Sequence, residues 1–297
     1  TLRADNKGEG GILSLFALIR KKYRWAYVIA IIGAATLLAD GIITPAITVT
    51  SSIEGLNQVF PSIPIGLVTI VIILALFLIQ PLGTARLGKS FGRVMFAWFL
   101  MLGVLGLISL FQYPAIIKAF NPYYAVKVLI NVPDAFVILG AVFLCTTGAE
   151  ALYSDLGHCG LRNIRISWIF VKSTLIINYL GQGAWILRHP DAVASGINPF
   201  FGVMPAWFTL IGVIMATLAA IIASQALISG SFTIVSEAIS LDLWPNIRIK
   251  YPTQVKGQMF IPQVNYTLMV LCVLIVLTFG SSSNMEAAYG LSITITM

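Results

Sequence analysis

Hydropathy along this chain changes in long blocks rather than in short alternations. Apolar runs extend from about Trp25 to Thr50, Ile63 to Leu82, Phe91 to Phe111, Asp134 to Tyr153, Ile166 to Leu187, Trp207 to Ile234 and Ile261 to Gly280. Each supplies the ~20 largely apolar residues that a ~30 Å hydrocarbon core demands. The pattern therefore predicts seven membrane-spanning helices. An eighth run begins near Met285 and reaches only Met297, too short to cross, so the chain reads as a fragment that stops in mid-helix. Residues 1–24 form a polar, basic, cytoplasmic lead-in. Its apolar stretch Ile12 to Ile19 is too short to span and suits an interfacial helix. Residues 1–297 thus read as a single all-α transmembrane domain, with spans and loops in residues 25–297.

Composition agrees. Hydrophobic residues make up 58% of the chain, charged residues 10%, and mean hydropathy is +0.93. Soluble domains carry about 25% charged residues, so a water-soluble globule is excluded. The net charge of +7 raises the question of nucleic acid. The basic residues, however, follow the loops instead of forming a patch. Alternate loops hold fourteen Lys and Arg, including Arg20, Lys21, Lys22, Arg86, Arg162 and Arg248. The opposite loops hold three, Lys118, Lys127 and Arg188. The positive-inside rule places the first set in the cytoplasm, with no nucleic-acid partner implied. The opposite loops carry aromatic segments suited to the outer interface, FNPYYAV at 120–126 and NPFFGVMPAW at 198–207. Cys145, Cys159 and Cys272 have no metal-ligand or paired spacing.

Candidate chemistry lies in the polar residues that interrupt the apolar runs. The stretch Leu139 to Arg165 sets Thr146, Thr147, Gly148 and Glu150 at membrane depth. A carboxylate there costs about 3 kcal/mol on insertion scales and marks an ion path more often than an idle packing group. Gly148 weakens the helix and lets carbonyls face a ligand. In the first span, Asp40, Thr44 and Thr48 recur at i, i+4 and i+8 and stack on one face. Pro45 withholds the hydrogen bond due to the carbonyl of Gly41. This column of oxygens suits a weakly hydrated monovalent cation. The alternative is that each threonine bonds back to its own helix. Thr147 and Glu150 share a face three residues apart. Thr217, Ser224, Gln225, Ser229 and Gly230 in the sixth span read mainly as close-packing positions. Lys172, seven residues past Arg165, reads as snorkelling to the inner surface in preference to a buried internal cation.

These residues lie within segments that resemble the Kup/HAK/KT potassium-uptake family. They are RADNKGEGGILSL at 3–15, ADGIITPAIT at 39–48, TGAEALYSDLGHCG at 147–160, NYLGQGA at 178–184, ASQALISGSF at 223–232 and NMEAAYGLSIT at 284–294. The likeness runs through the whole chain in order, matching roughly the third to tenth family helices. It implies a multi-pass transporter of the plasma (inner) membrane, with the LeuT-like inverted-repeat fold of the amino acid–polyamine–organocation superfamily. That fold would be incomplete here, because the family's first-helix motif is absent. It further implies potassium uptake coupled to protons, no cofactor, no enzymatic activity, and lipid as the surroundings; a homodimer is compatible with it. By motif position, Asp40, Thr44, Thr48, Thr147 and Tyr289 fall to potassium, and Glu150 or Asp40 to the proton. Lys172 and Ser173 stand where the family pattern has apolar residues and often proline.

Other readings remain open at this stage. The nearest is a transporter of the same superfold carrying an amino acid or another cation. A receptor-like scaffold would leave Glu150 unexplained. An intramembrane aspartyl protease would need two facing aspartates, and Asp40 and Asp155 are the residues available.

Overall fold

Ala26–Glu54 is one helix (α2) despite Pro45 in its interior, and most of the bundle packs on it. In this computed structural model the described residues are 11–19, 25–82, 85–133, 135–145, 147–148, 160–252 and 259–296. Before α2 lies the short helix α1 (Ile12–Ile19). After it come α3 (Ile65–Ile79), α4 (Ala85–Gln112), α5 (Pro122–Asn131) and α6 (Ala135–Leu144). The second half contains α7 (Leu161–Arg188), the short turns of helix α8 (Pro190–Ala194) and α9 (Pro199–Gly202), α10 (Thr209–Ser240), α11 (Pro262–Phe279) and α12 (Ser282–Thr296). An antiparallel bridge, Lys250 with Phe260, lies in the segment between α10 and α11.

The local chemistry of the ends follows the sequence. Asn121 and Asn198 each precede a proline, and each side-chain oxygen accepts the backbone N–H two residues on, at 3.0 Å from Tyr123 and 2.9 Å from Phe200. Asparagine is a strong N-cap, and proline at the first helical position forgoes an N–H that would have no helical partner. The two Asn-Pro pairs therefore start α5 and α9.

Among the described residues, four helical stretches are long and apolar enough to cross a membrane: Ala26–Gln58, Ser90–Gln112, Thr209–Ser240 and Pro262–Phe279. The other predicted spans differ in informative ways. The second is a shorter apolar helix, Ile65–Ile79, tightened into a 3-10 turn at Gln80–Leu82. The fifth is long, but Lys172, Asn178 and Gln182 dilute its apolar character. The fourth departs most. Its helix stops at Leu144, and Gly148 adopts φ +96°, a conformation that L side chains rarely take. The span expected over 134–153, with its helix weakened at Gly148, thus loses its helix at Leu144, four residues before that glycine.

α2 packs on α1, α3, α10, α11 and α12. The largest core cluster gathers Ala46, Ile73, Phe77, Phe232, Cys272 and Met285 from five of these helices. In lipid such contacts stabilise by close packing and hydrogen bonding, since leaving water is not the driving force between helices. α1 packs Leu13 and Phe16 against Ala26, Ala30 and Ile234. It thereby joins the start of α2 to the end of α10, two ends that charge bias assigns to the same side.

A second seam joins α4 to α7. Gly106 and Gly181 meet so closely that a Cβ on Gly106 would lie 2.7 Å from backbone atoms of α7. Asn178 donates to the carbonyl of Leu102 at 3.1 Å, and Ser109 donates to that of Gly181 at 2.8 Å.

Candidate ion site

The oxygen column of α2 forms, although its members act differently. Asp40 and Thr44 are buried, at 4% and 7% exposure. The Thr44 hydroxyl donates to Asp40 Oδ1 at 2.6 Å. Thr48 instead donates to its own helix, to the carbonyl of Thr44 at 2.6 Å. The back-bonding alternative therefore describes Thr48, and the side-chain column describes Asp40 with Thr44. A hydroxyl keeps two lone pairs after it donates, so Thr48 retains acceptor capacity. Pro45 is buried between the two threonines and provides no N–H. Nearby, Cys272 of α11 donates to the carbonyl of Ile42 at 3.0 Å.

Two candidates far apart in sequence meet. The Thr147 and Tyr289 hydroxyl oxygens lie 3.4 Å apart, both half-buried. Thr147 also donates to the carbonyl of Leu144 at 2.9 Å. Thr147 thus belongs to the broken end of α6, and Tyr289 reaches it from α12.

Thr48 and Tyr289 line one cavity of about 460 Å³. Ser51 and Ser52 of α2 extend its polar side, Trp98 of α4 and Phe200 supply aromatic walls, and Ala216 to Ala223 of α10 keep the opposite wall small. Asp40 and Thr44 are not among the lining residues; they lie one to two turns along α2 from Thr48. Glu150, Thr146 and Asp155 lie outside the described residues. Lys172 is exposed, its ammonium 5.2 Å from the centre of the Trp168 ring, and is not enclosed within the bundle. In α10, Ser224 and Thr217 bond back to their own helix, while Gln225 accepts from Gln80 of the α3 end at 2.6 Å, a buried pair.

Sequence reasoning passed over three contributors. Ser51 and Ser52 follow Thr48 by three and four residues, so helical spacing already placed them near the same face. Glu54 carried a stronger signal, as a carboxylate at the end of an apolar span. Its Oε1 accepts the backbone N–H of Ser282 at 2.8 Å, and its Oε2 accepts the Ser282 hydroxyl.

Comparison with known proteins decides the family. The K+ potassium transporter integral membrane domain matches residues 1–297, the whole chain. The chain belongs to this family. It is 59% identical to a protein of Cytophaga hutchinsonii named "Probable potassium transport system protein Kup", over 100% of this chain and 46% of the relative. Proteins of the same name from Flavobacterium johnsoniae and Clostridium perfringens are 54% and 53% identical, again over 100% of this chain and 47% of each relative. The chain therefore spans about half the length of the curated relatives it matches. No solved structure matches it. Membership agrees with the composition: this is a polytopic, helical membrane domain.

Proposed function

We propose that this chain forms the central part of a potassium-uptake transporter of the plasma membrane, with potassium passing the cavity between α2 and α12. The observation that carries the reading is the convergence of Thr48 and Tyr289 on one cavity, with Thr147 3.4 Å from Tyr289. Two helices and the segment that follows α6 thereby contribute hydroxyl-bearing residues, Thr48 and Tyr289 as cavity lining and Thr147 beside Tyr289. Potassium sheds water readily when oxygens of similar geometry replace its shell. Thr48, Thr147, Tyr289 and the carbonyls near the break supply such oxygens. Asp40, held by Thr44, supplies a negative charge one to two turns away.

Transport in this reading is coupled to protons, with Glu150 or Asp40 as the carrier. A carboxylate that alternates between wet and dry surroundings changes its proton occupancy between them. The overall build is the LeuT-like inverted repeat, in which a broken helix lines the substrate path. The relatives are named as transport proteins, so the aspartyl protease reading falls away. Selectivity among cations separates potassium from the other cargoes of the same superfold.

The test uses the intact transporter in potassium-starved cells. Thr48→Val and Thr147→Val replace a ligand oxygen with a methyl of nearly the same shape. Each is expected to raise half-saturating potassium about fivefold at normal membrane abundance, the size of one typical polar contact of about 1 kcal/mol. Wild-type half-saturation in both variants would remove these hydroxyls from the potassium path.

A further inference from the structure

We propose that Glu54 is a positioning residue of the ion cavity: by holding the first turn of α12 against α2, it sets where Tyr289 stands in the cavity wall. The inference rests on the cavity reading above, and it concerns a residue with no place in the oxygen column.

Glu54 is the last residue of α2, half-buried, and both of its carboxylate oxygens are engaged by Ser282, 228 positions away. Ser282 is the first residue of α12. The first N–H groups of a helix have no partner within it, and the helix dipole adds positive potential there. A carboxylate is the side chain best suited to that position. Here it comes from the helix that also carries Asp40, Thr44 and Thr48.

The stripe of α12 that faces α2 explains what the contact controls. Met285 and Ile293 are fully buried, Ser292 nearly so, and Ser292 donates to the carbonyl of Thr36 at 3.5 Å. Ser282, Met285, Tyr289 and Ser292 follow one another at steps of three and four residues, which is one face of a helix. Tyr289 therefore lies two turns below the residue that Glu54 holds. The other restraint at this end belongs to α11. Asn284 donates to the carbonyl of Phe279 at 2.9 Å, and Gly280, at φ +71°, turns the chain between the two helices. That turn ties α12 to α11. Glu54 ties it to α2, and so fixes the two hydroxyl-bearing walls of the cavity against each other. A slip of one residue along α12 moves Tyr289 by about 1.5 Å and turns it by about 100°, away from both Thr48 and Thr147.

The experiment measures potassium uptake by the intact transporter, normalised to its abundance in the membrane. Glu54→Gln keeps the shape and one acceptor oxygen but loses the charge and the second acceptor. It is expected to raise half-saturating potassium roughly fivefold, the size of one ordinary hydrogen bond, and to spare the maximal rate. Tyr289→Ala raises it as well. If Glu54 acts through Tyr289, adding Glu54→Gln to Tyr289→Ala has little further effect. A purely structural role predicts lower abundance and fully additive effects. Ser282→Ala, which removes only the hydroxyl half of the contact, gives the same direction with a smaller change if Glu54→Gln fails to accumulate. Additivity of Glu54→Gln with Tyr289→Ala overturns the proposal. So does wild-type half-saturation in Glu54→Gln, or in Ser282→Ala where that variant is the one assayed. If the wild-type protein moves potassium and Thr48→Val impairs it, such a result removes only the positioning role. A wild-type protein that moves no potassium removes the cavity reading and this inference together.

Discussion

The seams α4–α7 and α2–α12 are both polar contacts between largely apolar helices, yet they use their polar atoms in opposite ways. In α4–α7, Asn178 and Ser109 spend their protons on main-chain carbonyls of the neighbouring helix, and two glycines let the backbones touch. Phe96 stacks on Phe170 at 5.2 Å alongside. Every group named there ends on a partner across the seam. In α2–α12, Thr48 and Tyr289 line a cavity, and at the end of the seam a carboxylate accepts from Ser282. The difference teaches how to sort buried polar residues in a membrane helix. A polar side chain that closes on a carbonyl across a dry seam fixes packing. One whose lone pairs are left at a cavity is available to cargo.

The strongest way to break this comparison is to attack the packing seam at its tightest point. Gly106→Ala places a Cβ 2.7 Å from the backbone of Asn178, where no side chain can give way. Overpacking of this kind costs about 2 kcal/mol after the helix-propensity gain of alanine. Gly106→Leu is expected to abolish the folded protein, read as lost membrane abundance and lost monodisperse protein in detergent. The fraction of Gly106→Ala protein that does fold should bind potassium normally. A raised half-saturating concentration in that fraction would show that the α4–α7 seam also shapes the ion path.

The second test acts on the other seam, and on charge. Asp40→Asn keeps an oxygen that can accept from Thr44, so the local fold is retained while the negative charge is lost. Half-saturating potassium is expected to rise roughly tenfold, in line with the strength of contacts made by charged groups at partly dry sites. Uptake driven by an imposed pH gradient separates the two roles of this carboxylate. If Asp40 acts only as a charge, the residual transport still follows the gradient, and Glu150 is left as the proposed proton carrier. If Asp40 carries the proton, the gradient loses its effect.

Much of this arrangement was legible in the sequence, and the limits have physical causes. The i, i+4, i+8 column was readable because helical geometry alone stacks Asp40, Thr44 and Thr48, and the Thr44–Asp40 bond has that geometry. The break near Gly148 was readable because glycine after a polar pair ill suits a continuous span, and the helix does stop, at Leu144. Spacing cannot say which lone pair of Thr48 is used, since a bond back to the helix and a face on a cavity have the same period. Nor can it pair Glu54 with Ser282, or Thr147 with Tyr289, because those contacts depend on which helices are neighbours. The family resemblance placed Tyr289 in the site; local pattern did not. The close approach of Gly106 to Gly181 was missed for the same reason, as glycines in apolar helices are too common to single out one pair.

The smallest expected effect is also the most selective. Ser109→Ala deletes one hydrogen bond across the α4–α7 seam, to the carbonyl of Gly181. Interhelical hydrogen bonds of this kind average about 0.6 kcal/mol in membrane proteins, because the separated helices find other partners. The variant should therefore lose a little thermal stability in detergent, with unchanged abundance and unchanged half-saturating potassium. Thr48→Val is its natural counterpart. It also removes one hydroxyl from one buried face, and it likewise deletes a single bond to a carbonyl. If both hydroxyls only closed on the main chain, the two variants would behave alike. The cavity makes the difference: Thr48 lines it, and Ser109 does not. Stability should separate the variants little and potassium affinity should separate them strongly. An equal shift of half-saturating potassium in Ser109→Ala would show that a hydroxyl closed on a carbonyl across a dry seam affects cargo as much as one facing the cavity, and the distinction between the two seams would fail.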